Sequence, residues 1–186
     1  MTTKHAPPRY HSALVTLHWL IALLILTEAL IGLGFHFHRI WAPLQTEIQI
    51  HMILGIAILA AALVRIVVRL VTPKPLAAFT GNRFLDLVGK ATHVLLYLFV
   101  VALTGSAVLS AYKAKILRNA IGQLGLHYGN FDLRLHLLLF LGLAVLVGLH
   151  VAAAFYHQLV RRDGLFARMG YGKAAEKGAD EGRPQG

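Results

Sequence analysis

Four long apolar runs separated by polar connections dominate the pattern along the chain, at residues 14–35, 48–71, 87–111 and 133–160. Each run is long enough to cross roughly 30 Å of hydrocarbon as an α-helix. The pattern therefore predicts an all-α protein, a transmembrane four-helix bundle, over residues 1–165. Residues 166–186 are mostly polar, small and glycine-rich, which is typical of a disordered tail.

The first apolar run follows Lys4 and Arg9, as the apolar segment of a cleaved signal peptide would. It is longer than such a segment, however, and no small-residue cleavage site of the A-x-A type follows it. We therefore expect this run to remain in the mature protein as the first of the four spans.

The chain carries a formal net charge of +10, a value that in a soluble protein would suggest nucleic acid binding. Here most basic residues fall on one side of a four-span topology: before the first run, around the second connection and after the fourth run. Connections rich in lysine and arginine face the cytoplasm. The distribution predicts that both termini are cytoplasmic and that the partner is the lipid bilayer, not nucleic acid.

Six of the eleven histidines lie within the apolar runs, where an ionisable side chain is costly and usually marks a functional site. The chain has no cysteine, so any metal must be held by histidine or carboxylate. Depths follow from a rise of about 1.5 Å per residue. They place His51 and His136 together near the outer surface. The inner half holds the other four: His18, His93, His150 and His157.

His136 and His150 are fourteen residues apart on the fourth run. This spacing advances about 21 Å and four turns less about 40°, so one face of one helix presents an imidazole at each level. A zinc or copper pathway would gather several histidines at one depth. Two separate levels instead favour two six-coordinate haems, each held between two histidines.

Arg65 repeats the same spacing, fourteen residues after His51, and so reaches the inner level on that helix face. A buried guanidinium needs anions, which haem propionates would supply. The alternative is that Arg65 extends to the inner headgroups. Gly55, after His51, and Gly142, on the fourth run, would let a flat macrocycle approach the backbone, although glycine is also common where membrane helices pack.

The inner level offers more histidines than one haem needs. His157 lies 21 residues after His136. That is about 31 Å along the axis, which would place a haem among the headgroups. His150 is therefore the better ligand on this helix. Its axial partner must come from another helix, and depth alone leaves both His18 and His93 open.

Three motifs in combination resemble the bacterial cytochrome b561 family: the HW of LHWL (His18, Trp19), His51 at the start of the second run, and the L-H-x13-H pattern of RLHLLLFLGLAVLVGLH. The resemblance covers roughly residues 8–165 and extends to the cytochrome b subunits of formate dehydrogenases and nickel–iron hydrogenases. It implies two haem b groups in a bundle of the bacterial inner membrane.

Carried over position by position, the resemblance implies that His18 and His150 hold the inner haem, while His51 and His136 hold the outer one. It leaves two inner histidines, His93 and His157, as neighbours of the haem ligands or as contacts for a quinone.

The resemblance also implies electron transfer between the outer face and the quinone pool. Small stand-alone members resemble a superoxide oxidase, which oxidises superoxide outside and reduces ubiquinone, or another quinone, in the membrane. The outer connections are unusually basic, which would attract a small anion; a cationic loop lying on the outer headgroups explains the charge equally well. The outer charged residues are Arg39, Lys113, Lys115, Arg118 and Arg134, against Glu47 and Asp132.

Two other functions stay open at this point. An anchor subunit would carry electrons between a partner dehydrogenase or hydrogenase and quinone, with a protein donor in place of superoxide. A transporter lined with histidine would contain no haem. Glu28, an acid deep in the first span, has three open roles: a neutral side chain, a partner for a histidine, or a proton relay to a quinone.

Overall fold

The computed structural model describes residues 10–37, 43–72, 83–113, 133–161 and 169–170. These residues contain no strand and form four long helices: α1 (Ser12–His36), α2 (Leu44–Val71), α3 (Arg83–Lys113) and α4 (Leu133–Tyr156). A π-helical turn, His157–Arg161, continues α4. The all-α prediction is confirmed for this part of the chain, and the first three helices begin slightly before their apolar runs.

All four helices are long and apolar enough to cross a membrane, over Ser12–Gly34, Thr46–Val71, Asp86–Ser110 and Leu133–Arg161. Large apolar side chains cover the outside of each helix, and Leu138, for example, is 67% exposed. A helix satisfies its own backbone hydrogen bonds, so this apolar surface is suited to lipid. The exposed surface therefore agrees with the predicted bilayer environment.

Both ends of α2 lie next to a proline, a residue that interrupts helices. At its start, the Pro43 carbonyl accepts hydrogen bonds from the backbone N–H groups of Thr46 (2.8 Å) and Glu47 (3.2 Å). At its end, Thr72 is extended, with φ −92° and ψ 144°. Its N–H and its hydroxyl both donate to the Val68 carbonyl, at 3.0 and 2.6 Å. Proline follows Thr72 in the sequence, and a residue before proline disfavours the helical conformation.

Contacts at both ends of the bundle show that α1 and α2 run antiparallel. The start of α1 meets the end of α2, where the Arg65 guanidinium donates to the Leu14 carbonyl. The end of α1 meets the start of α2, where Glu28 lies against His51. The two helices therefore place Arg65 near one end of the bundle and the contact between Glu28 and His51 near the other.

The histidines of α4 mark two depths, which we call the His150 level and the His136 level. The His150 level lies near the end where α1 begins and α4 finishes, and His93, early in α3, meets His150 there. The His136 level lies near the opposite end. The fourteen residues between the two histidines of α4 correspond to about 21 Å.

A small apolar core fills the bundle between the two levels. On α2 it includes Ile58 and Ala62, and on α4 it includes Leu143, midway between the two histidines. Val100 and Leu103 of α3 complete it. These side chains are all buried, so apolar side chains fill the interior between the two levels.

Candidate haem sites

The His136 level brings together one histidine from α2 and one from α4. The ring centres of His51 and His136 lie 6.2 Å apart, and the ring planes are inclined at 67°. Both side chains are half-buried. The depths counted along the sequence placed these two residues at one level, and in the structure they lie close together across the bundle.

Glu28 lies beside this pair. Its Oε1 is 3.1 Å from Nδ1 of His51, and the two side chains are 15% and 26% exposed. Two glycines adjoin the contact: a Cβ at Gly55 would lie 3.4 Å from Oε1 of Glu28, and a Cβ at Gly32 would lie 3.5 Å from the His51 ring, both ordinary contact distances. Of the three roles left open for Glu28, the structure shows the partnership with a histidine.

The His150 level brings together three histidines from three helices. The ring centre of His150 lies 6.1 Å from that of His18 and 5.1 Å from that of His93, with interplanar angles of 74° and 73°. The neighbouring Trp19 packs edge-on against His18, with ring centres 5.4 Å apart. The depths counted along the sequence left both His18 and His93 open as partners of His150. In the structure both lie against its ring.

The separations of the rings can be compared with what one metal between two imidazoles requires. A ligating nitrogen lies about 2 Å from its metal and the ring centre about 1 Å further, so two rings on opposite sides of one iron have centres about 6 Å apart. The pairs His51–His136 and His18–His150 have this separation. His93 lies about 1 Å too close to His150 for an iron between them.

Arg65 is buried at the His150 level, with only 8% of its surface exposed. Its Nε donates a hydrogen bond to the Tyr97 hydroxyl at 3.0 Å, and its Nη1 donates to the Leu14 carbonyl. The side chain is therefore directed into the bundle and not towards the headgroups, while Arg69, one turn further along, is half-buried. Tyr97 was not predicted from sequence, although its position four residues after His93 on α3 is a helical neighbour spacing.

The two candidate glycines contact protein side chains. Gly55 faces Glu28, as described above. A Cβ at Gly142 would collide with the ring of Phe99 on α3, whereas a Cβ at Gly148 would meet nothing within 4 Å. In this structure the absence of a side chain at Gly142 allows α3 and α4 to pack closely. Of the two roles considered for this glycine, room for a macrocycle or close helix packing, the structure shows helix packing.

His157 lies in the π-helical turn, half-buried, with its ring centre 6.0 Å from that of Tyr156. Trp19 on α1 donates a hydrogen bond from Nε1 to the Met169 carbonyl at 2.9 Å, so part of the predicted tail contacts the bundle. The rest of the tail lies outside the described residues, apart from Gly170.

The basic residues predicted to face outward are only partly within the structure. Arg134 is exposed at the second residue of α4, and Lys113 is the last residue of α3. Arg39, Lys115 and Arg118 lie outside the described residues. Glu47, which sequence reasoning counted as an outward acid, is 0% exposed at the start of α2.

Within the ranges that the structure describes, no group of three or more histidine, aspartate or glutamate side chains has the geometry to hold a metal ion. A tetrahedral zinc shell would need such a group. A pair of imidazoles from two helices would instead suit the iron of a haem, and the pairs His51–His136 and His18–His150 would be the residues to hold it.

Four apolar antiparallel helices that carry facing histidines near both ends define a class, the membrane cytochromes of the b type. The family model "Prokaryotic cytochrome b561" matches residues 9–172, and the chain belongs to this family. The family implies binding of haem b and a role in electron transfer. The chain is also similar to a Yersinia pestis protein named "Probable superoxide oxidase CybB", with 27% identity over 172 residues that cover 87% of this chain and 95% of that protein.

Proposed function

We propose that the protein holds two haem b groups, one between His18 and His150 and the other between His51 and His136. The observation that carries this proposal is the separation of the ring centres, 6.1 Å in one pair and 6.2 Å in the other, which suits an iron between each pair. When bound, the haems supply a path for single electrons from one membrane face to the other.

The chain contributes the surroundings of this path. Helices α1, α2 and α4 hold the four imidazoles in two close pairs, and Oε1 of Glu28 lies 3.1 Å from Nδ1 of His51. The packed core around Leu143 excludes water between the two levels. Arg65 brings a buried positive charge to the His150 level, where it suits the propionates of a haem.

We further propose that the His150 level lies on the cytoplasmic side of a bacterial inner membrane, with both termini in the cytoplasm. Support comes from the basic residues near that end of the bundle, including Arg69, Arg83 and Arg161. The His136 level then lies near the outer surface. This orientation gives the two sites different neighbours: water and solutes outside, and the cytoplasmic leaflet inside.

The proposed reaction is the oxidation of superoxide at the outer face coupled to the reduction of ubiquinone in the membrane. Two superoxide anions give up one electron each and leave as dioxygen, and one quinone takes up two electrons and two protons to become quinol. Support comes from the name of the Yersinia pestis relative, and from the basic residues predicted at the outer face, among them Arg134 and Lys113.

An experiment on the purified protein with its haems distinguishes this reaction from electron transfer by an anchor subunit. We expect enzymatically generated superoxide to reduce the haems, and added ubiquinone-1 to reoxidise them, without any other protein. If the haems stay oxidised under superoxide and are reduced only when a partner dehydrogenase or hydrogenase is supplied, the protein is an anchor subunit and the proposed reaction is wrong.

A further inference from the structure

His93 is an exposed imidazole well inside the membrane span. It lies seven residues after Asp86, where the apolar span of α3 begins, which corresponds to a depth of about 10 Å. Its side chain is exposed on the surface of the bundle. Its ring touches that of His150, but no hydrogen bond joins it to any residue that the structure describes.

A polar ring in this position is expensive. Hydrocarbon offers no hydrogen bonds, so an imidazole left without a partner there costs free energy, and such residues usually mark a functional site. Iron ligation does not account for His93, because its ring is about 1 Å too close to that of His150 for an iron between them. The exposed part of His93 can therefore meet a ligand that approaches from the lipid.

Tyr97 provides a second hydrogen-bond donor next to His93. The two residues are four apart on α3, so their side chains are neighbours on one helix face. The Tyr97 hydroxyl accepts a hydrogen bond from Nε of Arg65 at 3.0 Å, which occupies a lone pair and leaves the hydroxyl proton to be donated elsewhere. Arg65, itself buried, thus fixes the position of a donor.

The surroundings define the class of ligand. It must dissolve in the membrane and offer a hydrogen-bond acceptor to His93 and Tyr97. It must also fit against the ring of His93, which itself touches His150. A quinone carries a carbonyl on a flat ring and an apolar tail, and so meets all three requirements. We propose that His93 and Tyr97, with Arg65 holding the Tyr97 hydroxyl, form the binding site for the head group of the quinone. This inference rests on the proposed function, which requires a quinone acceptor.

Direct binding tests the site without relying on turnover. Ubiquinone-1 is titrated into the purified protein with its haems, in detergent, and its dissociation constant is measured by calorimetry for the unaltered protein, His93→Asn and Tyr97→Phe. Loss of one hydrogen bond weakens binding by about fivefold to tenfold. We expect a change of this size in each variant, with haem content equal to that of the unaltered protein.

Tyr156→Phe is the matched control, because Tyr156 is an exposed tyrosine at the same end of the bundle and touches His157, the other histidine considered for quinone contact. It should bind ubiquinone-1 normally. Normal binding by both His93→Asn and Tyr97→Phe would overturn the site while leaving the proposed function intact, as would a loss of affinity confined to Tyr156→Phe. Loss of a haem in His93→Asn would assign His93 to iron instead. If the unaltered protein binds no ubiquinone-1, the quinone acceptor itself is wrong.

Discussion

Glu28 of α1 faces His51 of α2, with Oε1 of the carboxylate 3.1 Å from Nδ1 of the ring. A histidine that binds a metal through one nitrogen commonly directs its other nitrogen to a carboxylate, which fixes the ring and makes it a stronger ligand. Glu28 is therefore placed to orient the ring of His51 and to influence its strength as a ligand.

Glu28→Gln should raise the midpoint potential of the haem at the His136 level, because the loss of a negative charge near the iron disfavours its oxidised form. We expect a shift of about 40 mV, since removing a charge this close to the ring changes the free energy by about 1 kcal/mol and about 59 mV is tenfold for one electron. A redox titration followed by visible absorption measures both haems in one sample.

Two comparisons make this shift specific. The haem at the His150 level is an internal control and should keep its potential. Gly55→Ala should also leave both potentials in place, because the added methyl group would lie at an ordinary contact distance of 3.4 Å from Glu28. Equal shifts of both haems in Glu28→Gln, or no shift at all, would contradict the role assigned to Glu28.

Arg65→Leu should lower the potential of the haem at the His150 level, because it removes a buried positive charge that favours the reduced form. The expected change is on the order of 50 mV. Arg69→Leu, on the same helix but half-buried, is the matched control and should change the potential less, since water screens its charge. An unchanged haem in Arg65→Leu would show that Arg65 serves only to bind Tyr97 and Leu14.

Gly142→Ala should destabilise the bundle, because the new methyl group would collide with the ring of Phe99. Overpacking of this kind costs about 1–3 kcal/mol, which a thermal melt in detergent should show as a lower midpoint. Gly148→Ala, where a Cβ meets nothing within 4 Å, is the control and should melt normally. The combination of Gly142→Ala with Phe99→Leu should recover much of the loss; a normal melt of Gly142→Ala alone would mean that α3 and α4 pack differently.

The combined change of Lys113, Lys115 and Arg118 to Gln should slow the reduction of the haems by superoxide. Three fewer positive charges at the outer face weaken the attraction of a small anion, and the rate should then respond less to ionic strength. Stopped-flow absorption at several salt concentrations measures both effects. A slope against ionic strength equal to that of the unaltered protein would indicate that these charges lie on lipid headgroups instead.

Depth could be predicted from the sequence, because it requires only counting along apolar helices. The runs located four helices, and a rise of about 1.5 Å per residue placed His51 with His136, and His18 and His93 with His150. The structure has the same groupings.

Contacts around each helix could not be predicted in the same way. Helices in lipid are apolar on all sides, as α1 and α4 are, so no polar stripe shows which face points inward. The bond from Arg65 to Tyr97, the fit of Gly142 against Phe99 and the burial of Glu47 all depend on that rotation. Only the packed bundle shows them.

The number of haems per polypeptide, taken from a pyridine haemochrome assay against protein mass, tests the central claim most directly. We predict two haem b groups in the unaltered protein and one in His136→Ala, with the remaining haem at the His150 level. A single haem at full occupancy in the unaltered protein, or loss of all haem in a folded His136→Ala protein, would contradict two separate histidine pairs.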